Sequence, residues 1–202
     1  MIRIGVLASG GGTNFQSIID GIRGGDIDGE IAVLVTDKEN AGAIERAEKN
    51  SIPSVIVLKD NFESREHMDR EICRILDEKK VDLVVLAGYM RIISPELLGP
   101  YQNKIINIHP ALLPSFPGVD GQKQAFEYGV KVSGCSVHFV DGGTDTGPII
   151  EQTCVRIDDC KTPKEVGAKI LPFEHKTMRK VVANFSKGKY TVAGRKVTYE
   201  KH

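Results

Sequence analysis

The segment 104–110 places an amide and an imidazole where they could act together on one substrate. Side chains alternate across a strand, so Asn107 and His109 share one face while Ile106 and Ile108 occupy the other. An amide donates fixed hydrogen bonds, and an imidazole exchanges a proton near neutral pH. The pair suits a reaction in which negative charge develops on an oxygen. Alternatively, Asn107 and His109 are buried in the core, where hydrogen bonds satisfy their polar groups.

An acidic residue in a glycine-rich turn is the candidate partner of this imidazole. Asp145 lies between two threonines in the segment 141–148, which contains three glycines. A nearby carboxylate orients a histidine ring and raises its pKa, so we expect Asp145 to do both for His109. Alternatively, Asp145 only shapes the turn by bonding its own backbone. His138, on the preceding strand, is interpreted as mostly structural.

Apolar segments that alternate with helical patterns predict the elements that position these residues. We predict a Rossmann-like α/β fold, with a mostly parallel sheet, helices on both faces and a small C-terminal hairpin. The strand 81–87 is nearly continuous in aliphatic residues, so it should be central. Ligands bind at the carboxyl ends of strands in such sheets. His109, held extended by Pro110 at the end of its strand, would therefore line a ligand site.

The glycine-rich loop after the first strand has the pattern of a phosphate site. Segment 9–14 separates a strand over 2–8 from a helix whose apolar spacing begins at Phe15. Glycines let backbone N–H groups approach an anion, and the helix presents its positive end. Phe15 stands where a dinucleotide fingerprint needs a third glycine, so a single phosphate fits better. A tight connection capped by Thr13 or Asn14 is the alternative.

Two further segments could contribute to a ligand site. Segment 88–93 follows the predicted central strand and combines a glycine, apolar side chains and one cation, Arg91, as in an apolar slot. A hinge or core role for these residues stays open. Glu174 falls on the apolar stripe of a helix predicted over 163–187, kinked at Pro172, so we expect a cation or donors to pair with it.

Composition limits the classes of function. The 202 residues suit one domain, taken as 1–202, and 27 basic against 27 acidic residues leave no net charge for nucleic acid or an anionic membrane. The four cysteines lack Cys-x-x-Cys spacing, so we expect reduced thiols, no zinc or other metal, and a cytoplasmic protein. No long apolar segment suggests a signal peptide or membrane span.

Four motifs together resemble those of the phosphoribosylglycinamide formyltransferase family of folate enzymes. They are segments 8–14, 86–92 and 106–114, and segment 137–140 with 145–148. The resemblance spans nearly the whole chain in order and implies a fold of the formyltransferase type. It also implies transfer of a formyl group from 10-formyltetrahydrofolate, as cosubstrate, to the amine of glycinamide ribonucleotide in purine synthesis.

The resemblance also implies a role for individual residues. The catalytic residues would be Asn107, His109 and Asp145. The ribonucleotide would contact Gly12, Thr13, Asn14 and Glu174, with the first three on its phosphate side. The folate would contact Arg65 through its tail, and otherwise Met90, Arg91, Ile92, Ile93, Asn107, Asp141, Gly142, Gly143 and Thr144, with the loop 141–145 closing over the pterin.

Other functions stay open at this point. A 10-formyltetrahydrofolate hydrolase would pass the same group to water, but such enzymes usually carry an extra N-terminal regulatory domain. A methionyl-tRNA formyltransferase would be expected to carry a further C-terminal domain and a basic face. A non-catalytic folate or nucleotide binder is the third possibility. The expected partners are the two small molecules alone, and the expected assembly is a monomer or a homodimer.

Overall fold

Seven strands form one sheet in the computed structural model, which describes residues 1–201. These strands are β1 (Ile2–Leu7), β2 (Gly29–Thr36), β3 (Ser54–Ile56), β4 (Leu83–Leu86), β5 (Ile105–His109), β6 (Val132–Phe139) and β7 (Ile149–Arg156). The helices are α1 (Thr13–Arg23), α2 (Gly42–Lys49), α3 (Arg65–Glu78), α4 (Pro95–Leu98), α5 (Gly121–Tyr128) and α6 (Pro163–Lys187). A separate hairpin consists of β8 (Gly188–Ala193) and β9 (Lys196–Lys201).

The strand order confirms the predicted sheet. It runs β3-β2-β1-β4-β5-β6-β7, so β4 is the middle strand of the seven, as its composition indicated. All pairs from β3 to β5 are parallel, whereas β6 is antiparallel to both β5 and β7. The regular part of β4 covers only Leu83–Leu86, fewer residues than the apolar segment predicted. The sheet is thus mostly parallel with an antiparallel edge.

Helices cover both faces of the sheet and form two hydrophobic clusters. One cluster packs α1 and α6 against one face, and the other packs α3 and α4 against the opposite face. In β5, Ile106 and Ile108 belong to the first cluster and Ile105 to the second. Alternation along the strand therefore puts Asn107 and His109 on the face of α3, at the strand's carboxyl end.

The helix boundaries correct several local predictions. Helix α1 begins at Thr13, and its N-cap is Gly12 in a left-handed conformation with φ 66° and no side-chain cap bond. Neither Thr13 nor Asn14 therefore caps it. The side chain of Ser94, which precedes α4, makes no cap bond either. Gly129, with φ 82°, ends α5.

Helix α6 is the longest element of the chain. The Thr162 hydroxyl accepts a hydrogen bond from the Glu165 backbone N–H at 3.2 Å and thus caps the start of the helix. The helix continues through Pro172 without interruption over its 25 residues. No helix within residues 1–201 combines the length and apolar character that crossing a membrane requires.

The proline-rich loop 110–118 after His109 is fastened to β6 by one buried hydroxyl. The Ser136 Oγ accepts a hydrogen bond from the Leu113 backbone N–H at 3.0 Å and donates to the Ala111 carbonyl at 2.7 Å. The Gln152 side chain donates to the Leu113 carbonyl at 2.9 Å. These bonds, more than proline stiffness alone, hold the loop beside His109.

We expect Ser136→Ala to lower the free energy of unfolding by about 1–3 kcal/mol, because it leaves the buried Leu113 N–H without its acceptor. Urea unfolding followed by circular dichroism measures this change. The matched control is Ser115→Ala in the same loop. Because this side chain is exposed, its removal should change the free energy of unfolding by less than about 0.5 kcal/mol. Equal stability of the two variants would contradict the anchoring role.

Candidate active site

A cavity of about 380 Å³ lies at the carboxyl ends of β4 and β5, where the sequence predicted a crevice. Its walls come from the segment after β4, from β5 and β6, and from the loop that precedes β7. The sequence-predicted site residues among its lining are Asn14, Met90, Arg91, Ile92, Ile93, Asn107, His109, Asp141, Gly143, Thr144, Asp145 and Glu174. Gly12, Thr13, Arg65 and Gly142 are not among the lining residues.

The Asp145 carboxylate is the meeting point of the polar groups in this cavity. Its Oδ2 lies 3.2 Å from Nδ1 of His109 and accepts a hydrogen bond from the Gly118 backbone N–H at 2.8 Å. Its Oδ1 lies 3.4 Å from Nε2 of His138 and accepts from the Asn107 amide at 3.3 Å. The carboxylate is only 12% exposed, so these contacts replace most of its hydration.

His138 lines the cavity beside Asp145, a position that its interpretation as mostly structural did not predict. The antiparallel pairing of β5 with β6 places His138 directly opposite Asn107. Its Nδ1 lies 2.8 Å from the Phe139 carbonyl, which can only accept, so this nitrogen carries the proton. In a neutral ring Nε2 then accepts from the Asn107 amide at 3.3 Å. The pairing of β5 with β6 places His138 beside Asn107, and neither sequence segment alone reveals this pairing.

The ring of His109 faces an oxygen acceptor at each nitrogen. Its Nε2 lies 2.7 Å from the Phe116 carbonyl, and its Nδ1 faces Asp145. Two acceptors fit a ring that carries two protons, an imidazolium. Burial nevertheless lowers the pKa of His109, and the charge of Asp145 and the bond to Phe116 offset this only in part.

Asp145 and burial change the pKa of His109 in opposite directions. Asp145 does raise the pKa of His109, as expected, but burial has the larger effect and the net pKa is lowered. Burial also works against ionisation of Asp145, yet His138, which donates from Nε2 when its ring carries both protons, the Gly118 N–H and the charge of His109 lower the pKa of this carboxyl overall. The site thus pairs a carboxylate that stays ionised with an imidazole whose charged form the carboxylate favours and burial disfavours.

The segment after β4 forms the apolar wall of the cavity. Met90 and Ile92 are 68% and 56% exposed, whereas Tyr89 and Ile93 are buried in the hydrophobic cluster beneath. The Met90 backbone N–H donates to the Ser9 hydroxyl at 3.0 Å, which ties the wall to the glycine-rich loop. Tyr89 and Ile93 therefore belong to the hydrophobic core, whereas Met90 and Ile92 form the exposed apolar surface of the slot. Both interpretations of this segment hold, each for a different pair of residues.

Asn14 and Glu174 connect the cavity to the glycine-rich loop. The Asn14 amide donates to a Glu174 carboxylate oxygen at 3.0 Å, so Glu174 does find the donor that its buried position required. Glu174 is 7% exposed, and burial raises the pKa of its carboxyl, opposed by the bond from Asn14. At the uncapped start of α1, backbone N–H groups are available to an anion.

A second cleft, of about 320 Å³, adjoins the start of α1 and contains three basic side chains that the sequence analysis missed. Thr13 lines this cleft together with Arg46, His175 and Arg179. The Arg46 guanidinium donates to the Gly11 carbonyl at 2.7 Å. The Nε2 of His175 is buried and has no hydrogen-bond partner among residues 1–201. These residues come from α2 and α6, which only the folded chain brings to the loop.

Two charged residues lie elsewhere than expected. Arg65 pairs with the neighbouring Glu66 at 3.1 Å and is half-exposed, away from the cavity wall. Asp37 directly follows β2, where an acid is ordinarily solvated, but it is buried at 8% exposure. Within residues 1–201, no group of three or more His, Cys, Asp or Glu side chains could hold a metal ion.

Comparison with known proteins identifies similar chains. Residues 2–182 match the Formyl transferase family. Phosphoribosylglycinamide formyltransferase of Bacillus subtilis (strain 168) is 44% identical over 182 residues, which cover 90% of this chain and 93% of that protein. The Drosophila melanogaster trifunctional purine biosynthetic protein adenosine-3 is 43% identical over 157 residues, covering 77% of this chain but only 12% of that protein. The crystal structure of glycinamide ribonucleotide transformylase 1 from Symbiobacterium toebii superposes with a TM-score of 0.96 at 43% identity, covering 98% of this chain and 94% of that one.

Replacing Asp145 should change the titration of His109 in a defined direction. Because the Asp145 charge raises the pKa of His109, Asp145→Asn should lower that pKa further below its ordinary value. Titration of the ring by NMR measures the shift. Glu127→Gln, which removes an exposed acid of α5 that pairs with Lys123 and does not line the cavity, should leave the titration unchanged. A His109 pKa that stays the same or rises in Asp145→Asn would contradict the pairing.

Proposed function

Because the chain belongs to the formyl transferase family, which matches residues 2–182, we propose that it is a glycinamide ribonucleotide formyltransferase of purine synthesis. It transfers a formyl group from 10-formyltetrahydrofolate to the amine of glycinamide ribonucleotide. The observation that supports this most is the convergence of Asn107, His109 and His138 on the Asp145 carboxylate in one cavity. The proposal includes a cytoplasmic location and a monomer or homodimer as the working assembly.

The reaction needs donors for a developing oxyanion and a route for one proton. The substrate amine attacks the formyl carbon, so a new C–N bond forms and the bond from that carbon to N10 of the folate breaks. The amine loses one proton, and N10 gains one. Between these events negative charge accumulates on the formyl oxygen, and donors already in place lower the energy of that state.

His109 and Asn107 supply the donors in this proposal. A developing oxyanion is a stronger acceptor than a neutral carbonyl, so it competes with the Phe116 carbonyl for the Nε2 proton of His109. Because burial lowers the pKa of His109, the ring when protonated is a stronger acid and gives up its proton more readily. The two N–H groups of the Asn107 amide are directed at Asp145 and His138, each at 3.3 Å, and one of them would turn to the oxyanion as the second donor.

Asp145 and His138 keep these donors oriented. The Asp145 carboxylate compensates the charge on His109 and thus favours the imidazolium form. His138 accepts from the Asn107 amide and limits its rotation. No Ser or Cys takes part in the proposal, because direct attack by the amine needs no covalent nucleophile on the protein.

The apolar wall suits the pterin of the folate cosubstrate. Met90 and Ile92 present exposed apolar surface at the cavity, which Asp141, Gly143 and Thr144 also line. A flat heterocycle between such surfaces gains from burial of apolar area, while backbone groups satisfy its polar edge. Arg65 stands outside the wall, so the proposed contact to the folate tail requires a ligand that extends beyond the cavity.

The glycine-rich loop and the second cleft suit the ribonucleotide. The N–H groups at the start of α1 and the basic side chains of Arg46 and Arg179 provide a positive environment for its phosphate. Glu174, bound to Asn14 between the cleft and the cavity, is placed to accept hydrogen bonds from ribose hydroxyls. The amine would then reach the cavity that contains His109 and Asp145.

Product analysis tests the proposed function. The purified protein mixed with 10-formyltetrahydrofolate should formylate glycinamide ribonucleotide and release little formate when the amine is absent. Formate release without the amine would favour the hydrolase, and binding without turnover would favour a silent binder. His109→Ala should lower kcat by roughly 10²-fold or more, with less effect on ribonucleotide affinity. Near-normal turnover in that variant would contradict the assignment of His109.

Removing a basic side chain from the second cleft should weaken the ribonucleotide selectively. We expect Arg46→Ala to raise the KM for glycinamide ribonucleotide by roughly tenfold, the scale of one charge-assisted contact, with little change in the KM for the folate. Steady-state kinetics with each substrate varied measures both constants. Lys49→Ala removes an exposed charge from the same helix and serves as the control. An equal change in both variants would contradict the phosphate role of Arg46.

A further inference from the structure

The C-terminal hairpin touches the loop that carries Asp145. Its turn lies between β8 and β9 and contains Gly194, with φ 61°, followed by Arg195. The Arg195 guanidinium donates a hydrogen bond to the Thr146 carbonyl at 3.0 Å. Thr146 directly follows Asp145, so a side chain from the end of the chain holds the backbone next to the candidate catalytic carboxylate.

The hairpin is firmly attached to the body of the protein, which a positioning role requires. Tyr190 of β8 packs edge-on against Phe139, with ring centroids 6.5 Å apart, and against Phe185 at 4.9 Å. Its hydroxyl accepts a hydrogen bond from the Asn184 side chain at 2.8 Å. Phe139 follows His138 in β6, so the hairpin rests on the strand that supplies the second imidazole of the site.

The loop itself needs external support. Asp145 has a φ of 53°, in the left-handed region that is unfavourable for a residue other than glycine. The bonds of Asp141 to the Gly143 N–H and the Thr146 hydroxyl lie within the loop and do not fix it to the sheet. The Gly118 N–H holds the Asp145 carboxylate, and Arg195 holds the backbone on its other side.

We propose that Arg195 is a positioning residue, which holds the loop 141–147 so that the Asp145 carboxylate faces both His109 and His138. A guanidinium bonded to a carbonyl is a charge-assisted contact and stronger than a neutral one. The hairpin lies beyond residues 2–182, the part of the chain that matches the family. The inference rests on the proposed function, because Arg195 affects catalysis only through the position of Asp145.

The test compares three variants of the full chain. Arg195→Ala should lower kcat by roughly three- to tenfold, the scale of one lost hydrogen bond, and leave the KM for glycinamide ribonucleotide unchanged. Arg195→Lys, which keeps a charged donor, should recover much of the lost kcat. Lys196→Ala, which removes the adjacent exposed charge of the same turn, should match the wild type in both constants.

Hydrogen exchange provides a readout that does not depend on activity. Amides of residues 142–147 should exchange several-fold faster in Arg195→Ala than in the wild type, with no such change in Lys196→Ala. Unchanged exchange, unchanged kcat, or an equal loss in the Lys196 variant would overturn the inference. A wild-type protein that does not formylate glycinamide ribonucleotide would overturn the proposed function instead, and the exchange result would still decide whether Arg195 holds the loop.

Discussion

A single carboxylate, largely removed from water, determines how the site is built. Asp145 keeps its charge at 12% exposure because two imidazoles, one amide and one backbone N–H surround it. An unpartnered charge at such a position would cost several kcal/mol, so these partners cannot be moved independently. The orientation of His109 and Asn107 toward the cavity follows from this requirement, since His109 contacts one oxygen of the carboxylate and Asn107 contacts the other.

The sheet supplies the constraint that this cluster needs. Parallel pairing of β5 with β4 brings His109 to the carboxyl edge, and antiparallel pairing with β6 sets His138 opposite Asn107. The loop after β5 is held by Ser136 from the neighbouring strand, and that loop provides both the Phe116 carbonyl and the Gly118 N–H. The same burial that orders the ring of His109 lowers its pKa. Burial is thus the common cause of the fixed orientation of the His109 ring and of its lowered pKa.

Much of the fold and part of the site could be predicted from the sequence, because both depend on local patterns. Alternation identified the shared face of Asn107 and His109, and aliphatic composition identified the middle strand. The remaining features depend on contacts between distant segments. Examples are the pairing that adds His138, the buried position of Asp37, the approach of Arg46 to the glycine-rich loop, and the contact of Arg195 with Thr146. The sequence predicted that Asp145 raises the pKa of His109, but it did not reveal the burial that lowers this pKa overall.

The turnover of Asp145→Asn tests the central claim most directly, since this variant keeps the shape of the side chain and removes only its charge. Our account predicts that the rate of formyl transfer in a single turnover falls by about 10²-fold or more, while both substrates still bind with near-normal affinity. A rate within a few-fold of the wild type would contradict the account, because the carboxylate would then hold a structure together without taking part in the chemistry.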